Sequence, residues 1–143
     1  MSISDQLLLP RQFYTDMIQH AQSELPNECC GLLAGARDGD TLRVLARHAL
    51  VNEVASPTEY LSDPRSMLDA DKAMRAAEHE IVAVYHSHPS SEPVPSKKDL
   101  ERNYYGDTVV HFIVGLAGSE PVVRGWWLTE TAFTEATWQI VEA

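Results

Sequence analysis

Apolar positions recur at helical spacing over residues 10–25, where Phe13, Met17, Ile18 and Ala21 fall on one face. Pro10 can open that helix, and Pro26 with Asn27 stops it. The period then shortens. Residues 29–35 are apolar and glycine-flanked, which predicts a strand. Asp38-Gly39-Asp40 is a turn signal, so residues 41–50 return as the second strand of a hairpin. Residues 52–60, broken by Pro57, are irregular. Asp63 then caps a second helix that reaches about His79, with Pro64 at its favoured first position and Met67, Leu68, Met74 and Ala77 as its buried stripe.

Residues 81–85 form a continuous apolar run of strand length that ends at His86-Ser87-His88-Pro89. The next six residues hold Pro93 and Pro95 and must be loop. Ser96 starts a short third helix that ends near Gly106. Residues 108–116 and 122–128 are two further strands, joined through Gly118 and Pro121, and residues 131–140 alternate as a last strand. Helices and strands interleave, which predicts an α/β (or α+β) class with one central sheet. The 143 residues show no repeat and no linker, so residues 1–143 are expected to form one domain.

Composition narrows the function. With 44% hydrophobic residues the chain can bury a core unaided. A formal net charge of -10 argues against nucleic acid and against an anionic membrane surface as partners. Cys29 and Cys30 are adjacent and poorly placed to pair, which suits a reducing compartment. The start of the chain carries neither a basic region nor a long apolar core, and no run is long enough to span a membrane. A cytoplasmic address is expected.

The chemistry concentrates in His86-Ser87-His88-Pro89 and Ser96-Lys97-Lys98-Asp99. Residues two apart on a strand share a face, so His86 and His88 can present two imidazoles to one point. Asp99, in the first turn of the next helix, can fold back over that point. Two imidazoles and one carboxylate leave a tetrahedral zinc ion one open position for water, the ligand count of a catalytic site. His-x-His alone is common, and Ser96-x-x-Asp99 alone is close to a helix capping box. Capping and metal binding are compatible, because a capped start would hold Ser96 and Asp99 rigidly.

This string resembles the JAMM (MPN-plus) motif of zinc metallopeptidases: His-x-His-Pro, a spacer, then Ser-x-x-Asp. The upstream glutamate of that family matches Glu28, within Asn27-Glu28-Cys29-Cys30-Gly31-Leu32-Leu33. The resemblance covers essentially the whole chain and implies a mixed central sheet flanked by helices, similar to that of cytidine deaminases. It implies one Zn2+ with a bound water held by His86, His88 and Asp99, Glu28 as general base, and Ser96 as a hydrogen-bond donor to the oxyanion. Only eight residues, 100–107, separate Asp99 from the next strand, so no zinc-knuckle insertion fits there. That likens the chain to minimal prokaryotic members. The implied activity is hydrolysis of a peptide or isopeptide bond after the C-terminal Gly-Gly of a ubiquitin-like or sulfur-carrier protein. Residues 52–60 are a candidate lining for that tail, which could be read by main-chain hydrogen bonds.

Three rivals stand beside this reading. Metal-free relatives serve as interaction modules, but they lack ligands that this chain keeps. A nucleobase deaminase needs His-x-Glu and Pro-Cys-x-x-Cys, and neither occurs. A peptidase acting on other small peptides shares every residue above. Cys29 and Cys30 are expected to pack as small apolar residues. His20, His48, His79 and His111 lack partner spacing. Of Trp126 and Trp127, one is expected in the core and the other free for an interface, while Lys97 and Lys98 read as exposed helix residues.

Overall fold

The computed structural model describes residues 5–142. Eleven elements follow in chain order. They are β1 (Gln6–Pro10), α1 (Arg11–Ser23), β2 (Cys30–Asp38), β3 (Thr41–Leu50), α2 (Pro64–Ala77), β4 (Glu80–His88), α3 (Lys97–Glu101), β5 (Val110–Gly115), β6 (Val122–Leu128), β7 (Phe133–Glu135) and β8 (Thr137–Val141). The strands form one mixed sheet in the order β7-β6-β5-β4-β2-β3-β1-β8. The α+β class with a central sheet is therefore as expected from the interleaved pattern.

The sheet departs from the sequence reading at both edges. Leu7 and Leu9 lie in a strand before the first helix and are fully buried. Met1 to Ser4 lie outside the described residues. β1 pairs in parallel with β3 and with β8, partners far away in the chain that no local pattern can signal. The expected single tail strand is two strands. β7 pairs with β6 at one edge, and β8 with β1 at the other, with only Ala136 between them. The sheet must curl for one residue to join its two edges. The Ala136 amide bonds the Gly125 carbonyl at 2.8 Å, and Trp138 packs edge-on against Phe112.

α1 fills the hollow of that curl. Met17 and Ala21 are buried, with Phe13 and Ile18 packed beside them, against Leu33, Tyr85, Phe112 and Trp127. α2 covers the other face with Ala70 and Met74, against Cys30, Leu32 and Val84. Met67 is half-buried, whereas Leu68 and Ala77 point to solvent, so the buried stripe is narrower than expected. Asp63 caps α2 through the Ser66 amide at 2.9 Å, as its Asp-Pro start predicts.

Strand alternation sorts the side chains. Cys29 faces the α1 side and Cys30 the α2 side. Burial raises the first thiol to about 12 and the second to about 11, which leaves both as packing residues. Trp126 and Trp127 also face opposite sides, yet both are buried, so neither serves an exposed interface. No helix among the described residues is long and apolar enough to cross a membrane.

Candidate active site

β4 does not stop before the histidines. It runs through His88, because parallel pairing with β5 continues to Gly115. His86 and His88 therefore lie on one face of a buried central strand, flanked by β2 and β5. Ser87 points the opposite way, and its hydroxyl accepts the Cys29 amide at 2.8 Å. That bond ties β4 to the segment carrying Glu28.

The proline loop after His88 then turns back. Gly115 makes room for it, since a Cβ there would lie 2.6 Å from the Pro93 ring. The buried Trp126 indole donates to the Pro93 carbonyl at 2.9 Å. The neighbouring Glu92 carbonyl lies 2.7 Å from His88 Nδ1. A proton on Nδ1 serves that bond and leaves the Nε2 lone pair facing inward.

The loop delivers α3 with a complete capping box. Ser96 Oγ accepts from the Asp99 amide at 3.1 Å, and Asp99 Oδ2 accepts from the Ser96 amide at 2.9 Å. Because Ser96 Oγ is the acceptor in that bond, its own hydroxyl proton remains available. The same Asp99 carboxylate reaches both histidines. Oδ1 is 3.2 Å from His86 Nε2, Oδ2 is 3.1 Å from His88 Nε2, and the two Nε2 atoms are 3.2 Å apart.

These distances test the metal reading. A tetrahedral ion with bonds of about 2.0–2.1 Å sets its ligand atoms about 3.3 Å apart. The two imidazole nitrogens match that spacing and each lies near one Asp99 oxygen; with one ligand atom from each residue, all within 4.8 Å of one another, His86, His88 and Asp99 could hold a metal ion. The electrostatics agree. Burial works to raise the Asp99 carboxyl, but the facing imidazoles outweigh it and hold it well below the usual range. Burial works to lower His88, but Asp99 and the Glu92 carbonyl raise it. The centre calls for positive charge, which protons or a metal ion can supply.

Glu28 lies just before β2 and is 5% exposed. Its Oε1 is buried with no hydrogen-bond partner. Burial raises its carboxyl to about 7, against the opposing pull of His86 and His88 and with a further push from Asp99. It is thus a buried carboxylate beside the centre, with a free oxygen and an affinity for a proton near neutrality.

The 52–62 loop supplies residues that the sequence reading did not single out. Asn52 donates to the Glu28 carbonyl at 3.1 Å and to the Glu59 carbonyl at 3.2 Å, and its Oδ1 accepts from Leu61 and Val54. Tyr60 stacks on the His86 ring, with centroids 4.8 Å apart. An asparagine inside an irregular run is a known cue for side-chain bonding to local backbone. The Tyr60 stack has no such cue. His111, on the same face, is buried and lowered to about 4 by that burial. His20 bonds Tyr85 on the opposite face and takes no part in the centre.

A family model described as prokaryotic homologs of the JAB domain matches residues 10–129. The desampylase of Haloferax volcanii is 38% identical over 104 residues, covering 69% of this chain and 73% of its own. The CysO-cysteine peptidase of Mycobacterium tuberculosis is 30% identical over 140 residues, covering 95% of this chain and 92% of its own. The solution structure of a protein from Desulfitobacterium hafniense superposes with a TM-score of 0.87 at 32% identity, over 96% of this chain and 94% of that one.

Proposed function

Since the chain belongs to the family of prokaryotic homologs of the JAB domain, and is a peptidase of the JAMM type, we propose that it hydrolyses the bond following the C-terminal Gly-Gly of a ubiquitin-like carrier protein. The observation that carries this reading is the convergence of His86, His88 and Asp99 beside a buried, unpartnered Glu28 oxygen. A zinc ion held by those three residues would supply Lewis acidity to water and to the scissile carbonyl.

The rest belongs to the chain's own groups. Glu28 takes a proton from the attacking water; in the metal-free protein burial raises its carboxyl toward neutrality against the pull of His86 and His88. Glu28 then passes the proton to the departing nitrogen. Ser96 spends its hydroxyl proton on the carbonyl oxygen as negative charge develops there. One such donor is typically worth about 3 kcal/mol in the transition state. The capping box keeps Ser96 and Asp99 in fixed relation while this happens. Water adds across the amide, so the carrier leaves as a Gly-Gly carboxylate and the other product as an amine.

The test uses a ubiquitin-like carrier with a reporter joined to its terminal glycine. Purified protein should bind about one zinc per chain by elemental analysis, the number one such site takes. Cleavage should stop on chelation and return with zinc. His88→Ala should lose metal and cleavage together. Full activity in that variant would show that the centre lies elsewhere.

A further inference from the structure

His86 and His88 are held unequally. The His88 ring is engaged at both nitrogens, with Nδ1 2.7 Å from the Glu92 carbonyl and Nε2 facing Asp99. His86 also turns Nε2 toward Asp99, yet its Nδ1 is buried and meets no hydrogen-bond partner among the described residues. Tyr60 stacks on the face of that ring, which leaves the nitrogens at its edge unserved. An imidazole that binds a metal through one nitrogen keeps its proton on the other, and that proton is almost always given to an acceptor.

A buried acceptor with the complementary deficit stands on the next strand. β4 and β5 run in parallel, with Val84 beside His111 and His86 beside Ile113. His111 and His86 are therefore diagonal neighbours on one face of the sheet, where long side chains come within reach of each other. His111 is 3% exposed, and its Nε2 is buried without a partner among the described residues. The ring does have one hydrogen bond, to the Gly106 carbonyl, which falls to Nδ1. Burial keeps the ring neutral by lowering it to about 4. A neutral ring whose proton is spent on Gly106 leaves Nε2 as a bare acceptor. An unserved nitrogen at this depth costs stability that an apolar residue in the same place would not lose. His86 thus holds an unused donor and His111 an unused acceptor.

We infer that His111 is a positioning residue of the metal centre, its Nε2 accepting the Nδ1 proton of His86 through one bridging water. The inference rests on the zinc reading above and adds the group that fixes the His86 ring. No protein group bonds either nitrogen directly, and a water between two buried polar atoms serves both at once. The bridge selects the His86 tautomer with its proton on Nδ1 and aims the Nε2 lone pair at the metal. It also makes that nitrogen a stronger ligand. His111 thereby does for His86 what the Glu92 carbonyl does for His88. No spacing in the sequence links the two, because they meet only through the pairing of β4 with β5.

The experiment measures zinc affinity by chelator competition, with the visible spectrum of the cobalt(II)-loaded protein as a readout of ligand geometry. His111→Leu should weaken zinc binding about tenfold or more and shift the cobalt bands. Its metal-free form should unfold at a urea concentration no lower than the parent's, because a buried polar atom without a partner has been removed. His111→Gln, whose side-chain oxygen accepts in place of Nε2, should recover most of the affinity. A merely structural histidine gives the opposite pattern, a less stable metal-free chain with zinc affinity and cobalt spectrum unchanged, and that result would overturn the role. Nitrogen-15 NMR of the zinc-loaded parent keeps the question open to test if His111→Leu does not fold. His86 and His111 should each carry their proton on Nδ1, and a proton on His111 Nε2 would overturn the bridge. A parent that takes up no zinc would sink the zinc reading and this role with it, whereas a His111→Leu variant that binds zinc as tightly as the parent would sink the role alone.

Discussion

Glu28, the proposed base, owes its proton affinity in the metal-free protein to burial. Its carboxyl is ordinarily near 4.5 and is raised to about 7 chiefly by desolvation. A carboxyl raised on folding stabilises the folded chain below its unfolded value, and that contribution is lost as pH climbs through the folded value. The loss therefore falls between 4.5 and about 7. In chelator-treated protein Glu28→Gln should be more stable than the parent at pH 8, by on the order of 2 kcal/mol. The gap should close below about pH 4.5, as urea unfolding at the two pH values would show. Zinc should still bind the variant, while cleavage falls by about a hundredfold or more. A variant that loses zinc as well would mark Glu28 as a ligand. At this scale much of the candidate site was legible in the sequence. His86 and His88 sit two apart on a strand, and Ser96 and Asp99 sit three apart at a helix start; both spacings are dictated by local geometry. Tyr60 was not legible, because its stack on His86 depends on where a loop lands.

Among the elements, the 52–62 loop was read as irregular, with residues 52–60 a candidate lining for the carrier tail; Asn52 orders it together with backbone bonds such as Glu53 to Leu61 and Glu28 to Ser56. Asn52 makes four bonds that tie the Glu28 carbonyl to the Glu59 carbonyl and to two amides of its own loop. Asn52→Ala removes them all. Two of the four bonds are part-buried, and each such group left unpaired costs about 1 kcal/mol, so a modest drop in the unfolding midpoint is expected. Because those bonds position Glu28 and not the metal ligands, kcat should fall about tenfold, the yield of roughly 1.4 kcal/mol of lost alignment. Zinc affinity should stay near the parent value. Steady-state kinetics beside a chelator competition would separate the two, and an unchanged kcat would remove Asn52 from the positioning role. β4 teaches a related lesson. Its apolar run ends at Tyr85, so the pattern stops early, yet pairing with β5 carries the strand to His88. Polar residues at a strand end look like a loop until the neighbouring strand is known. The capping box of α3 was legible because it needs only residues four places wide.

The whole molecule depends on what is farthest apart in the chain. β1 and β8 close one edge of the sheet, and the single residue Ala136 links that edge to the opposite one through β7. Leu7-Leu8-Leu9 was visible as a short apolar patch, but a strand is defined by its partners, and these come from the third and eighth strands. The class and the order of most elements were legible from periodicity, and the helices flanking the sheet from the family resemblance. The curl was not, since it arises from pairings between chain ends. The curled sheet seats β4 in its centre, and the Trp126 indole anchors the loop that returns Asp99 to the histidines. The proposed reaction is the addition of water across the bond that follows Gly-Gly. Intact-protein mass spectrometry in heavy-oxygen water tests it most directly. The carrier should emerge ending at Gly-Gly with one heavy oxygen in its new carboxylate, only with zinc present and not with Glu28→Gln. A fully zinc-loaded protein that leaves a panel of such carriers uncut, or cuts them at another bond, would contradict the account.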